Sequence, residues 1–476
     1  MADALLTLTA DAGLTTGLAR ALAPELRAGD TLMLDGPVGA GKSHFARALI
    51  RARLANPAED VPSPTFTLVQ TYDGTPPLWH ADLYRLTDPV EIEELGLLDA
   101  LPESIALIEW PDRMVPAPAG LVLNFQPLDD PDLRQITLSG DKAQWARATR
   151  AAARAIFTHD AGWSDAQVAF LAGDASARRY FRLSRDGETA VLMDADAPTL
   201  TPYLAMTGWL RERGFDAPRV IAADPETGLA LIEDFGDAQI ARVIEADPRQ
   251  AGPLYERIAA LLARLAAFPP APGVKLLDGP EMARQVGLFA EWYAPATGAG
   301  PDALAAANEI APTIARLHAR LCADLPPVTG LRDFHAENII LTGDDRLGLL
   351  DFQDAVAVHP AYDLVSVLHD ARRAIPAAVE EAAIARFLTD TGLDPARFRA
   401  AFALLGAQRN LRIMGIFTRL CIAEGKPRYL AFMPHLWSLI ERELQAPELA
   451  ELADLVARIP GPDGATIERI GSQCRR

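Results

Sequence analysis

Short apolar runs alternate with helical stretches over the first 140 residues. Residues 31–34 (TLML), 106–108 (ALI) and 121–123 (LVL) are too short for helices and predict buried strands, whereas 44–54 places apolar residues at helical spacing. That alternation predicts an α/β sheet domain over residues 1–140. Residues 115–119 and 127–133 are rich in Pro and Asp, and the polar stretch 139–142 leads into an Ala- and Arg-rich helix over 143–156, which puts a junction at 141–150. Strand-like runs follow at 180–184, 190–193 and 229–233, and from about residue 250 the chain is mostly Ala/Leu/Arg helix. A small sheet followed by a helical body predicts a bilobal α+β domain over 151–476, with a small lobe at about 151–240 and a large one at about 241–476.

Composition narrows the class. The chain has 476 residues, half of them hydrophobic and 23% charged, which is globular and not disordered. Cys322, Cys421 and Cys474 are few and far apart, so neither a disulfide framework nor a zinc cluster is expected, and a reducing compartment is. The N-terminal residues lack a basic segment followed by an apolar one, and no run approaches the ~18 apolar residues that span a bilayer. A cytoplasmic protein with no membrane partner is expected. The net charge is −19, and both halves are acidic, which disfavours direct nucleic-acid binding. Lysine occurs only at 42, 142, 275 and 426, so a lysine at a motif position is informative.

Residues 36–43, GPVGAGKS, fit G-x-x-x-x-G-K-[ST] between a strand and a helix, the context that this motif requires. Gly36, Gly39 and Gly41 let backbone N–H groups curl round phosphates, Lys42 meets the β/γ oxygens, and the Ser43 hydroxyl suits Mg²⁺. Three later segments fit the rest of an ATP site: 62–66 (PSPTF) offers Thr65, 80–85 (HADLYR) offers Asp82, and 108–111 (IEWP) puts Glu109 and Trp110 at a strand end. A carboxylate there can hold the metal's water shell or orient the attacking water.

In this order the segments resemble the TsaE (YjeE) family of small P-loop ATPases, over about residues 5–135. The resemblance implies ATP and Mg²⁺ as cofactors and a TsaB–TsaD-type complex as partner, in threonylcarbamoyl modification of tRNA adenosine. It assigns Lys42 and Ser43 to nucleotide and Mg²⁺, Thr65 to a switch, Asp82 to Mg²⁺, Glu109 to the hydrolytic centre and Trp110 beside it. Pro37 and Val38 replace an acid and a leucine usual in the family, and Ser43 replaces threonine; Pro37 removes one N–H donor.

A second constellation lies in the C-terminal half. Residues 331–338 (LRDFHAEN) are followed by 349–354 (LLDFQD), so that Asp-x-x-x-x-Asn precedes an Asp-Phe pair, as in kinase-like phosphotransferases. Asp333 would accept the proton of the attacking hydroxyl, and Asn338 and Asp351 would hold Mg²⁺. The apolar flanks 339–341 and 347–350 fit a plain β-hairpin equally well. Residues 173–183 are placed to cover a nucleotide, and 231–236 (LIEDFG), with Glu233, to form a hinge at adenine. Met193 stands where a strand-three lysine is usual, which leaves Arg178 or Arg179 to meet the triphosphate charge. The aromatic stretch 289–293 reads as core in preference to a sugar platform.

This half resembles the aminoglycoside-phosphotransferase-like superfamily, and within it the AmgK-type anomeric sugar kinases of cell-wall recycling, through 173–183, 193–195, 333–338, 350–355, 361–366 and 370–373. The resemblance covers about 147–470 and implies an amino sugar substrate, N-acetylmuramate or N-acetylglucosamine. Asp363 is expected to support the catalytic loop. The fold class expected for the whole chain is thus an α/β P-loop NTPase domain followed by an α+β bilobal kinase-like domain. Two alternatives stay open for the second half: a kinase for another small molecule, such as an aminoglycoside, choline or homoserine, and a non-catalytic module that regulates the ATPase.

Overall fold

The computed structural model describes residues 3–86, 92, 95–173 and 178–475. Of the loop expected at 173–183, residues 174–177 lie outside the described residues. The chain forms two compact units, Met1–Leu200 with Val220–Asp234, and Thr201–Arg219 with Phe235–Arg476.

The first unit holds two sheets. Seven strands, β1 (Ala4–Ala10), β2 (Thr31–Asp35), β3 (Val69–Tyr72), β4 (Leu78–Asp82), β5 (Ile105–Glu109), β6 (Leu121–Pro127) and β7 (Arg134–Ser139), are ordered β1-β7-β6-β2-β5-β4-β3. The four central strands are parallel, and β2 and β5 are apolar along most of their length, as burial on both faces demands. Leu32, Leu34, Phe45, Leu107 and Phe125 belong to one core, with Phe45 and Phe125 edge to face at 5.8 Å. The parallel register pairs Asp35 with Asn124, Leu34 with Glu109 and Asp82 with Glu109, so the polar residues gather at the carboxyl ends of the strands. Open α/β sheets bind their ligands at that end.

Helix Ala146–Asp160 runs across the expected junction and is no loose linker. Ala148, Ala151 and Ala152 recur at helical spacing and are buried in the core of the seven-stranded sheet, together with Trp145. The same helix points Arg150 and Arg154 at Asp194. The second sheet comprises β8 (Gln167–Gly173), β9 (Arg179–Arg185), β10 (Glu188–Asp194), β11 (Val220–Asp224) and β12 (Leu229–Glu233), ordered β11-β12-β10-β9-β8 and antiparallel throughout. Arg154 donates to Asp194 at 2.7 Å and to Glu25 at 2.8 Å, while Arg150 donates to Asp194 at 2.7 Å. Burial works against the Asp194 carboxylate, but the bonds from Arg154 and Arg150 outweigh it and hold its pKa below the usual value.

The second unit is mainly helical, with helices Ala251–Ala266, Pro301–Leu321, Tyr362–Leu368, Ala377–Thr391 and Pro395–Glu424 among its elements. The expected hairpin is present as Ile339–Leu341 against Leu347–Leu349. Strand Val356–Val358 lies between Lys275–Leu276 and Val328–Gly330. Phe289 and Tyr293 are buried and stacked at 4.9 Å, and the Tyr293 hydroxyl donates to the Pro460 carbonyl, so that stretch is core. The cysteine expectation needs correction. Cys421 and Cys474 are joined by a disulfide with Cα atoms 4.8 Å apart, because the chain returns to pack its C-terminal helix Gly464–Ser472 beside the end of Pro395–Glu424. Among the described residues, no helix is long and apolar enough to cross a membrane.

Candidate functional sites

The phosphate loop joins β2 to helix Lys42–Arg53. Gly36 has φ +137°, and a Cβ there would collide with the Phe125 carbonyl, so the turn out of β2 requires glycine. Gly39 and Gly41 also have positive φ, at +79° and +108°. Lys42 is buried and donates to the carbonyls of Gly36 at 2.6 Å and Pro37 at 2.9 Å, folding its ammonium into the loop where a phosphate would sit. Its Nζ lies 4.0 Å from the centre of the Trp110 ring, a cation–π contact. Desolvation lowers the Lys42 pKa, opposed by the carboxylates of Glu109, Asp82, Asp35 and Asp112. Trp110 itself has φ +62°, a left-handed conformation costly for a non-glycine residue and held here beside Tyr84, whose ring centre is 5.0 Å away.

The other expected residues converge on the same place. Ser43 Oγ donates to Glu109 Oε2 at 3.1 Å, and Thr65 Oγ1 donates to Asp82 Oδ2 at 2.5 Å. Ser63 Oγ also reaches Asp82, at 3.3 Å. Three hydroxyls and two carboxylates are hard oxygen donors, the chemistry that Mg²⁺ takes, so this set fits the ion that the motif implies. Sequence reasoning missed His80. It is buried on β4, and its Nε2 lies 3.0 Å from Glu109 Oε1, so it must donate there, because a carboxylate only accepts. The signal was the alternation of the strand: His80 and Asp82 are two residues apart and share a face.

In the second unit, the loop between strand Val328–Gly330 and the hairpin carries Asp333 and Asn338. Asn338 Nδ2 donates to the Asp333 carbonyl at 2.8 Å and lies 3.5 Å from Asp351 Oδ2, bringing together the three residues expected from the motif. Asp351 leaves the hairpin with φ +57°, and Arg332 has φ +72°, so backbone strain is concentrated at both ends of the cluster. Gln353 Nε2 donates to Asp351 Oδ1 at 2.8 Å, and its buried Oε1 has no hydrogen-bond partner among the described residues. An orphaned amide oxygen next to Asp351 and Asn338 fits Mg²⁺ as well. Desolvation raises the Asp333 pKa, with Arg332 pulling it down, Asp351 pushing it up and Arg412 and Arg409 pulling it down. His335 is pushed down to about 4, by burial first and then by Arg372, and is neutral at pH 7. Asp363 opens helix Tyr362–Leu368 and accepts the backbone N–H groups of Leu331 and Arg332.

The small-lobe expectations fare differently. Met193 is buried within β10, pairing with Tyr180 and Ala230. Arg179 donates to Asp194 at 3.1 Å and lies 3.9 Å from Glu25, so two carboxylates engage the guanidinium that the sequence offers to phosphate. Arg178 sits just before β9, and Glu233 closes β12 opposite Ala190. Next to Glu233, Asp234 receives Arg182 through Nε at 2.6 Å and Nη2 at 3.1 Å, a two-pronged pair that fixes the strand end.

Comparison with known proteins agrees with this division. Residues 9–136 match the family described as threonylcarbamoyl adenosine biosynthesis protein TsaE, and residues 167–401 match the phosphotransferase enzyme family. An N-acetylmuramate/N-acetylglucosamine kinase from Caulobacter vibrioides is 38% identical over 348 residues, which is 64% of this chain and 94% of the relative. Its namesake from Pseudomonas aeruginosa is 33% identical over 63% of this chain and 91% of its own. A tRNA threonylcarbamoyladenosine biosynthesis protein TsaE from Rickettsia bellii is 40% identical over 121 residues, 24% of this chain and 82% of the relative. With Lys42, Thr65, Asp82 and Glu109 gathered in one unit and Asp333, Asn338 and Asp351 in the other, the chain is a fusion that belongs to the TsaE family through its N-terminal part and to the N-acetylmuramate/N-acetylglucosamine kinases of the phosphotransferase family through the remainder.

Proposed function

We propose that the chain runs two unrelated ATP reactions: hydrolysis in support of tRNA threonylcarbamoyladenosine formation, with a TsaB–TsaD-type complex as partner, and phosphorylation of N-acetylmuramate or N-acetylglucosamine at the anomeric hydroxyl. The convergence of Asp333, Asn338 and Asp351 carries the kinase reading, since a hairpin built only for stability has no need to orphan the Gln353 oxygen beside two such ligands.

In the kinase, Asp333 holds the anomeric hydroxyl and takes its proton as the oxygen attacks the γ-phosphorus of ATP. A bond forms between that oxygen and phosphorus, the bond from phosphorus to the β,γ-bridging oxygen breaks, and ADP leaves. An anomeric hydroxyl is more acidic than an ordinary alcohol, so a carboxylate is an adequate base. Asn338 and Asp351 would hold Mg²⁺, which when bound neutralises phosphate charge. Asp363 keeps the loop that carries Asp333 at fixed height through two backbone N–H groups. Domain limits of 1–140 and 151–476, joined through 141–150, serve this reading, with helix Ala146–Asp160 shared between both sheets of the first unit.

In the ATPase, Lys42 exchanges the Gly36 and Pro37 carbonyls for phosphate oxygens, a replacement of neutral by charged acceptors that strengthens each bond. Ser43, Thr65 and Asp82 would hold Mg²⁺ and its water, and Glu109, oriented by His80, aligns the attacking water. Gly36, Gly39, Gly41 and Trp110 shape the nucleotide site, while Arg178 and Glu233 belong to the nucleotide side of the kinase. A cytoplasmic setting suits both substrates.

The test is to incubate the full chain with Mg-ATP and either sugar and follow phosphorus NMR for an anomeric phosphate, in wild type, Asp333→Asn and Lys42→Ala. Sugar 1-phosphate that vanishes in Asp333→Asn and survives Lys42→Ala supports both sites and their independence. Absence of product from the wild type, with ATP hydrolysis lost in Lys42→Ala, overturns the kinase reading and leaves the ATPase.

A further inference from the structure

Arg134 opens β7, and its side chain reaches the phosphate loop. A Cβ placed on Gly41 would lie 3.5 Å from Arg134 Cδ and Nη1 and 4.0 Å from Cζ, so the guanidinium lies across the N-terminus of helix Lys42–Arg53. Little in the chain holds it there. Its Nη2 donates to the Pro131 and Asp132 carbonyls of its own turn at 3.4 and 3.5 Å, the long limit of a hydrogen bond. Among the described residues Arg134 makes no ion pair, although acids stand near it in sequence and in register. Asp129, Asp130 and Asp132 are exposed, and Asp130 Oδ1 accepts the Asp132 N–H at 2.9 Å. Asp11, next to the Ala10 that pairs with Arg134, caps its helix by accepting the Leu14 N–H at 2.7 Å. Asp35 accepts the Gly36 N–H at 2.8 Å and the Asn124 amide at 2.7 Å.

The sheet order puts this guanidinium on one flank of β2 and the hydrolytic groups on the other. Strands β5 and β4, which end in Glu109 and Asp82, lie on one side of β2, and β6 and β7 lie on the other. The phosphates of a nucleotide lie along the loop and the N-terminus of its helix. Glu109 and Asp82 mark the end where the γ-phosphate is hydrolysed, so the α-phosphate and the nucleoside leave the loop on the flank of β6 and β7, beside Gly41. Arg134 is half-buried there, and its Nε and Nη1 make no hydrogen bond among the described residues.

We propose that Arg134 binds the α-phosphate of the nucleotide in the phosphate loop, so that Lys42 and Arg134 hold the phosphate chain at opposite ends. The inference rests on the reading of that loop as an ATP site. A phosphate exchanges two long bonds to neutral carbonyls for short charge-assisted ones, and the guanidinium fork matches its oxygens with two parallel N–H groups. Gly41 makes the approach possible, because a side chain there would stand against the Arg134 arm.

The test is calorimetric titration of the full chain with Mg-ADP, in wild type, Arg134→Gln, Arg134→Lys and Lys42→Ala, at two salt concentrations. Lys42→Ala leaves the kinase site alone, and its difference from wild type isolates the phosphate-loop site. Arg134→Gln is expected to raise Kd at the loop site about ten-fold or more and to flatten its dependence on salt. Arg134→Lys keeps the charge and loses the fork, so its Kd falls between the two. An unchanged loop-site Kd in Arg134→Gln overturns the proposal. A weakened Kd whose salt dependence stays as in wild type also overturns it, and assigns the guanidinium to the face of the base. If Arg134→Gln does not fold, Arg134→Lys decides: a weaker Kd at an unchanged melting temperature supports the proposal, and an unchanged Kd overturns it. A Lys42→Ala variant that binds as much ADP as wild type overturns the reading of the loop itself, and this inference falls with it.

Discussion

Asp363 accepts the Leu331 N–H at 2.5 Å through Oδ2 and the Arg332 N–H at 3.1 Å through Oδ1, so one fully buried carboxyl sets the backbone on the approach to Asp333. Burial pushes its pKa up to about 7, against the pull of the two backbone N–H groups. Asp363→Asn turns one acceptor into a donor facing a donor, a conflict of about 1–3 kcal/mol. Sugar kinase kcat/KM should therefore fall roughly ten- to hundred-fold, measured by coupled ADP release.

The same carboxyl makes stability depend on pH. Its folded pKa is raised from 3.8, so its contribution is fully present below about pH 4 and is lost as pH rises through about 7. The slope from this one group is roughly 1.4 kcal/mol per pH unit inside that window. Urea midpoints at pH 5 and pH 7 should drop more steeply with pH in the wild type than in Asp363→Asn, which has no proton to lose.

A second prediction concerns the ATPase. His80 holds Glu109 at 3.0 Å, and Ser43 takes the other carboxylate oxygen at 3.1 Å. His80→Ala frees one side of Glu109 without touching Lys42, so ATP affinity should change little while turnover falls about ten-fold. The measurement is phosphate release in an Asp333→Asn background, which silences the kinase. A large loss of ATP binding with turnover intact would count against Glu109 as the group aligned by His80.

The motif residues of both sites were legible because their spacing is fixed by local backbone geometry: a glycine turn opening a helix at Lys42, and a hairpin that carries Asn338 and Asp351 to one place. Strands β2, β5, β6, β10 and β12 were legible for the same reason, as uninterrupted apolar runs. What lay hidden depends on contacts between distant segments. Nothing local pairs His80 with Glu109 across adjacent strands. Arg179 shows the converse: its position beside β9 suggests phosphate, yet Asp194 and Glu25, far away in sequence, claim it. The Cys421–Cys474 pair was invisible because cysteine spacing says nothing about where the C-terminal helix packs.

Arg154 offers a third test. It bridges Asp194 and Glu25 at 2.7 and 2.8 Å with little exposure of any partner, so its removal takes one charged donor from each, while Arg150 and Arg179 still hold Asp194. Arg154→Ala should destabilise the protein by about 1.5–3 kcal/mol, the loss of hydrogen bonds to charged groups. Glu25→Gln keeps an acceptor for Arg154 and should cost far less. Denaturant melts of the two variants separate a dependence on the ion network from a general intolerance of substitution in this helix.

The disulfide gives the last prediction. Cys421 and Cys474 close a loop with a sequence separation of 53, which in the chain-entropy account stabilises the fold by about 4 kcal/mol. Cys322 is buried, and its thiol is pushed up to about 12, chiefly by burial, so little thiolate is present at neutral pH. Native protein isolated without reductant should therefore show no reactive thiol to an aromatic disulfide reagent, one on unfolding, and three after reduction and unfolding. Reduction alone should lower the denaturant midpoint while leaving Cys322 unreactive. Three thiols on unfolding without reductant would mean that the pair is reduced in the isolated protein, and the packing of helix Gly464–Ser472 would then have to come from its apolar contacts alone.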